Sequence, residues 1–222
     1  LVQHGDAQLL HKGYQLREQG LEALVQCRRK LTAGLNPLPR HSRPLRHWLL
    51  FASDDLPQCF LYRVAQKRQQ LEALGCSVRI VLRETMDEWD WTESLVWADA
   101  VIVCRLPATA SVLSAIDAAH LAGLPTWYDV DDLVMDPDNG VPPLETYGGT
   151  ITPFQHRCLQ LDVPLFATAM RACGAAIVST PTLADRWRQL ESSQPIHVLA
   201  NLAPPELQAA RRRPRRVGRR PR

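Results

Sequence analysis

Residues 98–133 read ADAVIVCRLPATASVLSAIDAAHLAGLPTWYDVDDL. The run Ala100-Val101-Ile102-Val103-Cys104 is apolar throughout and of strand length, the pattern of a strand buried on both faces. After a Pro-containing turn, Val112, Leu113, Ile116, Ala119 and His120 recur at helical spacing, and Gly123 marks the stop. Pro125–Tyr128 then begins a second buried-type strand, which runs into Asp129-Val130-Asp131-Asp132. Strand, helix and strand in one stretch make a βαβ unit, the connection that parallel strands require.

The same alternation extends in both directions. Upstream, Trp48–Ala52 reads as a buried strand closed by Asp54-Asp55. Leu61, Val64, Ala65, Leu71 and Leu74 then mark a helix that Gly75 stops, Ser77–Leu82 a strand, and Glu88–Ala98 a short helix. Downstream of a long loop, Val163, Phe166, Ala169, Met170 and Cys173 mark a helix ending at Gly174. Ala175–Ser179 is the next strand, Pro181–Leu190 a helix with Thr180 at its cap and Pro181 in its first turn, and Ile196–Ala200 a last strand. The expectation is an α/β fold: a doubly wound, mostly parallel, Rossmann-like sheet over 48–202. Residues 1–47 form a helical lead-in, with Leu9, Leu10, Leu16, Leu21, Leu24, Val25 and Leu31 on amphipathic stretches, followed by the Pro-rich connector around Asn36-Pro37-Leu38-Pro39. Residues 203–222 are read as a disordered basic tail.

Composition narrows the function. The 222 residues are 45% apolar and 22% charged, with 26 basic and 23 acidic residues. Eight Arg and no acid fall within 211–222, which leaves 18 basic against 23 acidic residues over 1–210, a net charge of −5. The body is therefore mildly acidic and lacks the basic face of a nucleic-acid-binding domain, so no specific nucleic-acid partner is expected. No stretch approaches the roughly 18 uninterrupted apolar residues of a membrane span, and no basic-then-apolar leader is present. The chain begins at Leu1, which reads as a fragment or a processed product. Cys27, Cys59, Cys76, Cys104, Cys158 and Cys173 form no Cys-x-x-Cys pair, and the seven histidines show no ligand spacing. Buried free thiols in a reducing cytoplasm, with no metal, are the reading.

In a doubly wound sheet the ligand lies outside the carboxyl ends of the strands. That directs attention to Ser53-Asp54-Asp55, Arg83-Glu84, Arg105, Asp129 to Asp132, Thr180 and Asn201. The acidic cluster can hold a divalent cation, supply a nucleophile or base, bind sugar hydroxyls, or simply cap a turn. Asp129 and Asp131 match the D-x-D spacing of haloacid-dehalogenase-like phosphohydrolases, the first as nucleophile and the second as acid/base. Leu133 stands where that family uses Thr or Val, and two strand-helix units precede the motif. A metal-dependent D-x-D glycosyltransferase is a second reading. A response-regulator receiver is excluded because the third strand ends Val103-Cys104-Arg105, without a phosphoacceptor Asp.

Taken over 48–202, the sequence resembles the amino-terminal half of GT-B glycosyltransferases of the large retaining group 1 (family 4-like) type. The residues carrying this are Tyr62-Arg63-Val64, Leu71-Glu72-Ala73-Leu74-Gly75, Ala98 to Arg105, Ala122 to Leu133, Ala175 to Ala184 and Ile196 to Asn201, in the family's order. The resemblance implies that this half binds the acceptor, a glycan or lipid-linked saccharide, while a carboxyl-terminal domain binds the nucleotide sugar. That second domain has no counterpart here, and Ser53-Asp54-Asp55-Leu56-Pro57-Gln58 replaces the usual Gly-rich loop. The expected molecule is thus a polysaccharide-biosynthesis transferase half, inactive alone, with no cofactor of its own. It would be cytoplasmic, with weak peripheral contact at the inner membrane face. A non-catalytic Rossmann-like interaction module is the alternative.

Individual residues follow from these readings. Asp129 and Asp131 are the catalytic candidates, as a cleft base or as hydroxyl binders. Asp132, Arg105, Arg63, Tyr62, Asp54, Thr180 and Asn201 are the acceptor-binding candidates. Arg105 and Arg63 suit an anionic acceptor group, although Arg105 also suits a surface ion pair. Thr180 is most simply a helix cap and Asn201 a strand-end turn, though both lie on the ligand edge. His156 follows the cluster, and Trp89, Trp91 and Trp97 suit sugar stacking or core packing. The Arg-rich end reads as out-of-frame or disordered sequence, or else as a tail for anionic surfaces.

Overall fold

The structure, a computed structural model, describes residues 44–86 and 91–203. The lead-in helices, Trp89 and the Arg-rich tail lie outside the described residues. β1 (His47–Ala52) leads into α1 (Pro57–Cys59), which continues through a π-helical turn (Phe60–Ala65) into α2 (Gln66–Ala73). β2 (Ser77–Leu82), α3 (Arg83–Met86), α4 (Trp91–Trp97), β3 (Ala100–Cys104), α5 (Ala110–Leu121) and β4 (Thr126–Val130) follow. A 3-10 turn (Leu144–Tyr147), α6 (Pro153–Ala172), β5 (Ala175–Val178), α7 (Pro181–Leu190) and β6 (Ile196–Val198) complete the order.

The six strands form one all-parallel sheet in the order β2-β1-β3-β4-β5-β6. The handedness of crossovers explains how the helices are distributed. Right-handed connections that step from β2 over β1 to β3, and on to β4, β5 and β6, all place their helices on one face. Only the β1-to-β2 step runs backward and places its helix on the other. The packing follows this. Leu49, Phe51, Val101, Val103, Tyr128, Val130, Ala176 and Val178 meet α4, α5, α6 and α7 in the larger core. Leu50, Ala52, Ile102 and Cys104 meet Val64, with Phe60 and Leu71, in the smaller one. Among the described residues, the helix of 57–73 is therefore alone on its side.

Two boundaries depart from the sequence reading. β4 ends at Val130 and so takes Asp129 into the sheet, opposite Cys104 on one side and Ile177 on the other. A strand reading stops at the first acid, because a buried carboxylate needs partners that only the tertiary fold supplies. α6 begins at Pro153, ten residues before the first apolar marker, with a capping box in which Thr152 and Gln155 satisfy each other's backbone N–H groups. Its amino-terminal half is largely exposed and Pro164 lies inside it, so the apolar period begins late.

Candidate functional site

β1 has β2 on one side and β3 on the other, so the switch point of the sheet lies between the carboxyl ends of β1 and β3. Two cavities open there. A crevice of about 10 Å³, room for one water-sized group, is lined by Ser53, Asp55, Cys59, Phe60, Arg63, Val64, Cys104 and Arg105. Beside it is a cleft of about 710 Å³. Asp55 and Arg105 line both. The cleft has an apolar wall that includes Pro107, Val141, Leu159 and Phe166, and polar groups on Arg83, Asp132, Asn139, Tyr147 and Asp162.

Asp129 is fully buried, and both of its carboxylate oxygens are taken. Arg63 Nε donates to Oδ1 and Lys67 Nζ to Oδ2; these two side chains are only 3% and 5% exposed. Arg63 and Lys67 lie on the same face one turn apart, in the π-helical turn and the start of α2. Arg63 Nη1 reaches on to the Leu199 carbonyl at 2.9 Å and to Asn201 Oδ1 at 3.0 Å. Asn201 Nδ2 in turn donates to Asp131 Oδ2 at 3.1 Å, and Gln66 Nε2 holds the Leu202 carbonyl at 2.9 Å. The stretch 199–202 is thus strapped across the helix of 57–73. A nucleophile or base needs a free oxygen within reach of its substrate. Asp129 has none, so the geometry gives the phosphohydrolase reading no support and gives Asp129 the work of anchoring its neighbours.

Arg105 has φ of 49°, the only positive value at a non-glycine position among the described residues. A left-handed conformation disfavours an L-residue by about 1–2 kcal/mol and persists only where the surroundings impose it. Here the Arg105 N–H donates to the Asp129 carbonyl at 2.9 Å, Nε donates to Asp132 Oδ2 at 3.1 Å, and the guanidinium lies 5.5 Å from the Phe166 ring centre. Burial raises the Asp132 carboxyl above its usual range despite the opposing pull of Arg105. Burial, reinforced by Asp131, pushes the Cys59 thiol up to about 11, so Cys59 stays protonated near neutral pH. Cys59 Sγ and carboxylate oxygens of Asp131 and Asp132 lie within 4.8 Å of one another.

The remaining candidates fall in different places. Asp54 is exposed and lines neither cavity, as does half-buried Tyr62. Thr180 caps α7, accepting from the Leu183 N–H at 3.2 Å. His156 Nε2 pairs with the Pro142 carbonyl at 2.8 Å and props the loop beside the cleft. Trp91 is core, and Trp97 packs with His47 under Arg79.

One wall of the cleft is fixed by a contact that sequence reasoning missed. Arg186 of α7 grips Asp136 through Nε and Nη2, both at 2.7 Å, and reaches Asp138 at 2.7 Å. Asn139 and the Asp138 N–H add bonds to the same carboxylate. Gly140 closes this turn so tightly that a Cβ there would lie 2.5 Å from the Asp136 carbonyl oxygen. The Arg186 hydrogen bonds hold the Asp136 carboxyl far below its ordinary value. A carboxyl depressed in the folded state stabilises above its unfolded pKa of about 4 and loses that contribution as pH falls. Wild type and Arg186→Ala should therefore differ in urea midpoint at pH 7, with a gap that begins to narrow below about pH 4 and closes only well below it. A gap that stayed constant on acidification would remove this ion pair from the account.

Lys67 was equally unmarked, although a signal existed. It sits on the buried stripe between Val64 and Leu71, where a cation demands a buried acid. Compared with models of protein families, with curated proteins and with solved structures, the chain matches none.

Proposed function

We propose that this chain is the acceptor-binding half of a GT-B-type glycosyltransferase, with a saccharide as the ligand of the switch-point cleft. The observation that supports this best is the lining of the cleft. Pyranose rings present C–H faces to apolar side chains and hydroxyls to carboxylates, amides and guanidinium groups. The cleft offers Phe166, Leu159 and Val141 together with Asp132, Asn139, Asp162 and Arg105. The order of the sheet fits a doubly wound lobe, and the resemblance along 48–202 supplies the chemistry: a sugar moves from a nucleotide donor to an acceptor hydroxyl. The acceptor lobe's part is to bind and orient that hydroxyl.

A saccharide microarray probed with the full chain tests this. Retention of a related set of glycans is expected, with Tyr147→Ala weakening it roughly tenfold, the order of one lost stacking contact. The chain alone should transfer no labelled sugar from nucleotide donors. An array with no retained saccharide would overturn the proposal, and transfer by the isolated chain would overturn the requirement for a second domain.

A further inference from the structure

Three polar side-chain atoms among the described residues are buried without a hydrogen-bond partner: Arg63 Nη2, Asp131 Oδ1 and Asp132 Oδ1. Hydrogen bonds and close approaches bring the three residues together. Arg63 and Cys59, one turn apart on the same helix, both line the water-sized crevice between β1 and β3. Cys59 is within 4.8 Å of Asp131 and Asp132, and Asn201 bridges Arg63 to Asp131. Arg63 is only 2% exposed, so its free N–H cannot turn to solvent. Native proteins seldom leave such groups unpaired, and an orphaned set is a reason to look for a ligand.

The signs of the orphans select its chemistry. One donor and two acceptors remain. An anion such as phosphate would satisfy Arg63 and be repelled by the two carboxylate oxygens. A divalent cation would satisfy the carboxylates and be repelled by Arg63 and by Arg105, which holds Asp132. A hydroxyl both donates and accepts, so two neighbouring hydroxyls on one ring can give two hydrogens to the carboxylates and accept one from the guanidinium. The charges agree: Lys67 and Arg63 against Asp129 leave one excess positive charge, which Asp131 balances, and a neutral ligand keeps that balance. The crevice has room for one hydroxyl beside Arg63, and the wide cleft next to it, which Asp132 lines, has room for the neighbouring hydroxyl and the rest of a sugar.

We infer that the junction of crevice and cleft is a vicinal-diol subsite, in which Asp131, Asp132 and Arg63 read two adjacent hydroxyls of the saccharide lying in the cleft. This rests on the acceptor reading above and adds to it the part of the sugar that is recognised. Asp131 and Asp132 are binding residues here, and Asp129 positions Arg63.

Saturation-transfer NMR on the full chain with a panel of methyl glycosides and their monodeoxy analogues is the test. At least one methyl glycoside should bind, and removing either of two adjacent hydroxyls should weaken it roughly tenfold or more. Asp131→Asn should do the same in a chain that still melts cooperatively as a folded protein. Asp132→Asn, whose side chain is 40% exposed, serves as the second variant should Asp131→Asn fail to fold. Binding should survive EDTA and resist inorganic phosphate. Full binding in both Asp variants, with loss in Tyr147→Ala, would overturn the subsite and leave the cleft reading intact. Loss in EDTA would make the crevice a cation site, and displacement by phosphate an anion site; either overturns the inference. No binding by any methyl glycoside would overturn it together with the acceptor reading.

Discussion

Asp129→Ala is expected to lose about 3–5 kcal/mol of folding stability, the range for removing one partner from a buried ion pair. The size follows from what stays behind. Arg63 and Lys67 are nearly inaccessible, and without the carboxylate each keeps its charge in a site that water cannot reach. The smaller core of the sheet is exposed to the same loss, because Arg63 and Lys67 flank Val64 on the helix that covers that face among the described residues. Folded proteins hold only about 5–15 kcal/mol in total, so the variant should melt far below wild type or fail to accumulate. Urea unfolding followed by tryptophan fluorescence measures it. A loss under about 1 kcal/mol, the worth of an exposed pair, would show that the cations escape to solvent and that the triad is not a unit. An activity lost in an Asp129 variant therefore says nothing about catalysis until folding has been checked.

Trp187→Ala should be comparably severe, at about 3–5 kcal/mol for a large aromatic removed from a core. Trp187 is fully buried on α7, with Arg171 5.7 Å over its ring. Its Nε1 donates to Gln194 Oε1 at 2.7 Å, and Gln194 Nε2 donates to the carbonyls of Met170 and Cys173 at the end of α6. The ring therefore seats α7 against both α6 and the segment entering β6. Because Arg186 is its neighbour on α7, a loosened helix should also release the 136–140 turn from the cleft wall. The expected result is a lower melting temperature together with weaker saccharide retention than the stability loss alone explains. A melting curve within a degree or two of wild type would mean that the surrounding side chains refill the space.

The fold was legible wherever local pattern and burial agree. β3 is apolar at every position and buried at every position, and α7 begins and ends where its cap and first-turn proline place it. Legibility failed where a residue's role depends on distant partners. Asp129 looked like a loop acid because its partners lie 62 and 66 residues away. Nothing in the sequence marks Arg186, since Asp136, which it grips, is 50 residues distant. The candidate region follows from the rule that parallel sheets bind at their carboxyl ends, and the structure brings Arg63, Asp131 and Asn201, and Arg105 and Asp132, into contact there. The roles within it depended on contact geometry that no spacing encodes, above all the division between Asp129, sealed in the sheet, and Asp131 and Asp132, which keep free oxygens.

The strap of 199–202 over the helix gives the molecule a mechanical linkage. Arg63 is held at once by Asp129, by the Leu199 carbonyl and by Asn201, and Asn201 also holds Asp131. A pull on the chain at residue 203 is transmitted through those few bonds to Arg63, which lines the crevice, and to Asp131. In the saccharide reading proposed above, a change in the position of the chain beyond that point would alter how tightly the ligand is gripped without touching it.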